Sequence, residues 1–260
     1  MSHLCVYLLG SFHAMLDDKP VAFEYGKVKA LLAYLIMESD RPVPREELAT
    51  LLWPEQSEES AHNGLRQALS KLRRALSDHA SEFPFLLLQN DTIQFNTRSD
   101  VWVDTWAFTK IIGESAGHRH RRLKTCSTCA RLLRHTYEMY RGDFLEWLSI
   151  PESIGFEEWA TVRRVQMRSQ ISEALLQLAS YYAHSGDYAY VQVYATRQLE
   201  LDPLSEEAHY HMMRSLAVLG NRSEAITYFK TFSRLLDDEL GIRPSVETLD
   251  LVVCSISNLT

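Results

Sequence analysis

Over residues 4–23, "LCVYLLGSFHAMLDDKPVAF", apolar positions run with partial alternation until the turn-rich Asp17-Asp18-Lys19-Pro20 interrupts them. That pattern predicts a β-hairpin. From residue 27 to 37 the period changes. Val28, Leu31, Leu32, Leu35 and Ile36 recur at helical spacing and Pro42 lies beyond the end, predicting an amphipathic helix. A second, shorter helix follows. Pro44 stands where a first-turn proline is tolerated, and Glu46 and Glu47 suit the positive end of a helix dipole. Leu48, Leu51, Leu52 and Trp53 supply its buried side, and Pro54 stops it. A third helix is expected over residues 57–76, with Ser57 or Ser60 as N-cap and Glu58 and Glu59 in the first turn. Two short strands, 85–88 and 92–95, then flank Gln89-Asn90-Asp91, a hairpin signal. Hairpin, three helices and hairpin is the element order of a winged helix-turn-helix, with the second hairpin as the wing.

After Asp100 the strand patterns stop, and helices are expected over 101–112, 126–140 and 156–171. An internal period follows. Gly186 and Gly220 are 34 positions apart, as are Ala174 and Ala208, Leu178 and Met212, and Ala183 and Ala217. Thirty-four is the tetratricopeptide spacing, in which each unit is a pair of antiparallel helices. Two such units, from about 171 to 239, fall short of the three or so an independent stack needs, so the preceding helices are expected to complete it. The reading is therefore mainly α: a winged helix-turn-helix domain with β-hairpins over 1–98, then an all-α tetratricopeptide-like domain over 99–260. Trp102, Trp106, Trp147 and Trp159 are expected as core aromatics of the helical domain, and His209 and His211 as surface or packing residues.

Composition supports a folded chain of two domains: 260 residues, 46 % hydrophobic and 23 % charged. No apolar run approaches the roughly 18 residues of a membrane span, and the first ten residues lack a secretory signal. The cytoplasm is the expected compartment, with no membrane partner.

Charge changes the picture locally. The formal net charge is -7, yet "HNGLRQALSKLRRAL", residues 62–76, fills the gaps between its leucines with cations and holds no acid. At 100° per residue, Leu65, Leu69, Leu72 and Leu76 gather on one side with Ala61, Ala68 and Ala75 beside them. Asn63, Gln67, Ser70 and Arg74 occupy the opposite side, flanked by Arg66, Lys71 and Arg73. Arginine takes guanine bidentately, asparagine and glutamine take adenine, and serine serves bases or phosphates. A charged face on an isolated helix is usually just solvated. On the third helix of this element order it stands where a recognition helix belongs. An acidic chain with one cationic face fits a localised reader of duplex DNA rather than a protein that coats it.

The segments "GKVKALLAYLIM", "VPREELATLLWPE", "AHNGLRQALSKLRRAL", "YRGDFLEW" and "ELGIRPSVET", taken in order, resemble the SARP-type bacterial transcriptional regulators. These join a response-regulator-like winged helix to a bacterial transcriptional activator domain. The resemblance runs from Leu4 to about Leu251. It implies binding of double-stranded promoter DNA, often at direct repeats, self-association on that DNA and contact with RNA polymerase. Carried onto this chain, the implied DNA contacts are Asn63, Arg66, Gln67, Ser70, Lys71, Arg73 and Arg74, with the wing near Asn90 and Asp91, a tip that bears no cation. Related architectures often continue into further domains.

One motif lies outside this scheme. "HRHRRLKTCSTC" sets His118, His120, Cys126 and Cys129 within a dozen positions. Zinc takes thiolate and imidazole in a tetrahedral shell, so these four are candidate ligands of a structural zinc ion. Other readings compete: small apolar helix residues beside a solvated basic linker, a basic run touching DNA phosphates, or a redox pair, the last lacking a βαβ setting. In "YRGDFLEW" a helix end is expected, with Gly142 supplying a permissive backbone at C′. No Walker or dinucleotide-binding glycine motif occurs, and no carboxylate groups with His118 and His120 to serve as general base. The chain is not expected to be an enzyme. The rival to a DNA-binding activator is a helical adaptor whose winged helix binds protein.

Overall fold

The computed structural model describes residues 2–78, 83–118 and 125–253. In chain order the elements are β1 (Leu4–Tyr7), β2 (His13–Leu16), β3 (Lys19–Pro20), α1 (Gly26–Met37), β4 (Val43–Pro44), α2 (Arg45–Leu52) and α3 (Glu58–Ala75). There follow β5 (Leu86–Leu88), β6 (Thr92–Phe95), β7 (Val101–Val103), α4 (Asp104–Gly117), α5 (Ser127–Met139) and α6 (Ile154–Ser185). The last are α7 (Tyr188–Leu201), α8 (Glu206–Val218), α9 (Arg222–Leu240) and α10 (Val246–Asp250). The fold is mainly α, with a winged helix-turn-helix near the N-terminus and helices beyond, as the pattern predicts.

Two compact units result: Met1–Thr109 with Met139–Met167, and Lys110–Glu138 with Arg168–Thr260. The expected division at 98/99 falls before the last strand, β7. Compactness divides the chain elsewhere, passing within α4, α5 and α6.

In the first unit a four-stranded sheet has the order β3-β2-β1-β7. Asp17 and Asp18, both at positive φ, make the tight turn between β2 and β3, so the expected hairpin signal belongs to that pair. The β1–β2 reversal uses Gly10 at φ +89° instead. The strands do not stop at Asp100: β7 lies parallel to β1, with Leu4 opposite Val101 and Val6 opposite Val103, where the pattern predicts a helix from residue 101. Three residues are too few to show a period, and the partner strand is almost a hundred positions away. Helix α4 starts only at Asp104. The buried carboxylate of Asp104 accepts from the amides of Leu8, Leu9 and Thr105 at 2.7–2.9 Å. Burial pushes its carboxyl above the usual range, and those amides pull it back.

Helix α1 is buried at every residue from 30 to 36, so the amphipathic stripe read from its leucines understates it. It is the centre of the unit rather than a surface helix. Residues 139–167 hold to this core: Ser153 Oγ donates to the Leu52 carbonyl (2.8 Å), and Glu38 accepts from Trp159 Nε1 (2.9 Å) and Arg163 (2.7 Å). Trp159 also packs against Tyr34, Phe144 and Phe156. The four expected core tryptophans all fall in this unit, not in the helical one, and Trp147 is 77 % exposed. Gly142 is not at positive φ; its Cα faces Gly10, where a Cβ would stand 3.1 Å from the Gly10 Cα. This close approach lets the Gly10 amide reach the Asp143 carbonyl (2.9 Å) and the Leu145 amide reach Leu8 (2.8 Å). Leu145, at φ 51°, takes the left-handed conformation expected of the glycine.

In the second unit the 34-residue offset is structural. Gly186 and Gly220 both have positive φ (81° and 91°) between α6 and α7 and between α8 and α9. The Asp187 amide reaches the Tyr182 carbonyl (3.0 Å) as the Asn221 amide reaches Leu216 (2.8 Å), the same turn twice. Met213, Leu216, Ala225, Phe232, Leu236 and Leu251 form a core there. His209 and His211 are both buried packing residues. His209 stacks on Phe232 and bonds the Tyr228 hydroxyl and the Pro203 carbonyl, each at 2.9 Å, while His211 Nε2 lies 3.2 Å from Ser180 Oγ.

Candidate nucleic-acid interface and cysteine cluster

Both ends of α3 are built by local chemistry. Ser57 is the N-cap, its hydroxyl accepting from the Ser60 amide (3.4 Å), and Glu58 and Glu59 occupy the first turn. At the other end the Ser77 amide reaches the Arg74 carbonyl (3.1 Å) and the Asp78 amide reaches Arg73 (2.8 Å). With Ser77 at φ 54°, this is a Schellman ending. Arg73 and Arg74 in the last turn complement the dipole.

The inward face is set by Ala61, Leu65, Ala68, Leu69, Leu72 and Leu76, all buried. Gly64 lets α3 approach the turn from α2: a Cβ there would lie 2.8 Å from the Trp53 ring. Trp53 is itself 7 % exposed, so the ring is a wall rather than a flap.

The structure sorts the seven expected DNA contacts into two groups. Asn63, Arg66, Gln67, Ser70 and Arg74 are exposed along the outer face. Lys71 and Arg73 are half-buried and engaged. The Lys71 ammonium lies 2.5 Å from Glu24 Oε2 and 4.9 Å from the Tyr25 ring centroid. Burial pushes the Tyr25 hydroxyl up, and Lys71 opposes that. The Arg73 Nε is 3.7 Å from Asp78 Oδ2, and Asp78 is buried with its Oδ1 accepting from the Phe85 amide (2.5 Å). Arg73 thus points to the end of the helix, not outward.

At the wing the tip residues Gln89, Asn90 and Asp91 are exposed, and the tip itself carries no cation. One cation sits at its base, contributed from far away in sequence: the Arg45 guanidinium donates to the carbonyls of Asn90 (3.0 Å) and Gln89 (3.4 Å), and the Arg45 amide to Asp91 (2.8 Å). With β4 pairing β6, this ties the start of α2 to the wing. Sequence reading missed Arg45, because no local spacing connects it to residue 90.

The cysteine cluster lies in the second unit. Cys126 precedes α5, its carbonyl accepting the Ala130 amide (3.0 Å), and Cys129 lies in the first turn. Chiefly the Cys129 amide holds the Cys126 thiol below its ordinary value, whereas burial first of all pushes Cys129 up. His118 follows the end of α4, with its Nδ1 3.5 Å from Cys126 Sγ and 3.3 Å from Cys129 Sγ. His120, the fourth expected ligand, lies outside the described residues.

The model of the family described as bacterial transcriptional activator domain matches residues 103–252, and that of transcriptional regulatory protein, C terminal, matches residues 26–86. Regulatory protein AfsR of Streptomyces coelicolor is 24 % identical over 242 residues, covering 91 % of this chain and 22 % of AfsR. The chain therefore spans about a fifth of that relative's length. Among solved structures, Mycobacterium tuberculosis EmbR in complex with a low-affinity phosphopeptide superposes with a TM-score of 0.74 at 21 % identity, covering 96 % of this chain and 64 % of EmbR. That likeness concerns the fold.

Proposed function

Since this chain belongs to the bacterial transcriptional activator domain family and is a SARP-type transcriptional regulator, we propose that α3 enters the major groove of promoter DNA and reads its sequence. The observation that carries the proposal is the outward row Asn63, Arg66, Gln67, Ser70 and Arg74, exposed on a helix whose opposite face is buried. Arg66 and Arg74 supply forked donors for guanine or phosphate, Asn63 and Gln67 supply amides for adenine, and Ser70 fits either. Lys71 and Arg73 act differently, fixing α3 through Glu24, Tyr25 and Asp78. The wing, pinned by Arg45, reaches the flanking backbone through exposed main chain rather than through side-chain cations.

In this reading the protein is a non-enzymatic activator. Copies bind adjacent promoter repeats, and the helical unit contacts RNA polymerase. Selection of bound duplexes from a random pool tests the DNA step. A converged motif bound at least about a thousandfold tighter than random duplex, with affinity falling steeply as salt rises, is the expected result. A pool that never converges contradicts it and favours the adaptor reading, in which the winged helix docks on protein.

A further inference from the structure

We infer that His118, Cys126 and Cys129 form a structural zinc site that joins the end of α4 to the start of α5. Three observations carry it. The ligand atoms of the three residues all lie within 4.8 Å of one another. The imidazole Nδ1 is 3.5 Å and 3.3 Å from the two sulfurs. In a tetrahedral zinc shell, with Zn–S near 2.3 Å and Zn–N near 2.0–2.1 Å, sulfur and nitrogen stand roughly 3.5–3.6 Å apart. Both nitrogen–sulfur distances thus lie close to that spacing.

The third observation is where the ligands come from. Cys126, just before α5, and Cys129, in its first turn, are three positions apart, so one helix end carries both sulfurs. His118 arrives from just past the end of α4, eight residues before Cys126. Two thiolates and an imidazole are a soft donor set that suits zinc rather than calcium or magnesium. Clusters rich in carboxylate favour those harder ions, and no carboxylate belongs to this group. The role is structural: the ion closes a short connection between two helices, fixing their junction as a cross-link fixes a loop.

The test uses the full chain, reduced and stripped with chelator, then titrated with Zn²⁺ or with Co²⁺ as a spectroscopic probe. About one ion per chain is expected, with a thiolate-to-cobalt charge-transfer band and visible absorption of tetrahedral strength. X-ray absorption of the zinc-loaded wild type is expected to count two sulfurs, with nitrogen or oxygen completing the shell. That measurement needs no variant, so it stands even where a substitution unfolds the protein. The Cys126→Ser, Cys129→Ser double substitution is expected to abolish the charge-transfer band and to remove any lowering of the melting temperature by chelator. A reduced, folded wild type that takes up no zinc overturns the inference. So does a shell without sulfur, or a Cys126–Cys129 disulfide that persists in the presence of zinc and mild reductant.

Discussion

Gly64 shows how one residue sets α3. In a helix interior alanine is better than glycine by about 1 kcal/mol, so propensity alone favours Gly64→Ala. Packing opposes it: the new methyl would stand 2.8 Å from the rigid, buried Trp53 ring, and overpacking of this kind costs roughly 1–3 kcal/mol. The contact outweighs the propensity, and Gly64→Ala is predicted to lower stability by up to about 2 kcal/mol net in a denaturant titration. An unchanged or raised midpoint contradicts that. Nothing in the local sequence marks Gly64, because the atom that forbids a side chain belongs to a tryptophan eleven positions earlier. The same holds for Arg73. Its spacing places it beside the outward row, but the buried Asp78, brought back by the left-handed Ser77, draws it away. Helical periodicity gives direction around an axis; it does not give the partners that later chain supplies.

At the scale of elements, what the sequence made legible is what local chemistry decides. Helix α3 runs Glu58–Ala75 with Ser57 as its cap, within a residue of the span its leucines and serines predict. Helix α2, bounded by Pro44 and Pro54, and the wing strands around residues 89–91 are equally local. Strand β7 was not legible, because its parallel partner β1 lies at the other end of the unit. Nor was the run of α6 to Ser185, since its two halves face different surroundings and show no single stripe. The buried His209 of α8 makes a prediction at this scale. Burial, first of all, lowers the pKa of His209 below 6.5. A histidine depressed in the folded state is neutral there while the unfolded chain takes up protons, so its stabilising effect is full above about pH 6.5 and is lost as pH falls toward the folded value. The melting temperature of the chain is predicted to fall between about pH 7.5 and about pH 5, and His209→Gln is predicted to flatten that slope. A wild-type slope that the substitution leaves unchanged contradicts the assignment.

For the whole molecule, a net charge of -7 and the proposed reading of DNA by α3 are compatible because fields at about 8 Å are already screened at physiological salt. In the proposed function phosphate meets the outer face of α3, where no acid occurs from Ala61 to Leu76. No helix among the described residues is long and apolar enough to cross a membrane. Compactness places residues 139–167 with the winged helix, a grouping that element type does not mark because it rests on long-range contacts such as Ser153 to Leu52 and Trp159 to Tyr34 and Glu38. The central claim is that Arg66 and Arg74 contact DNA and contribute little to folding. Its most direct test is the affinity of the Arg66→Ala, Arg74→Ala double variant for a selected duplex, measured at fixed salt beside its melting temperature. An affinity loss of about 100-fold or more is predicted, with the melting temperature nearly unchanged. Wild-type affinity in a folded double variant would contradict it.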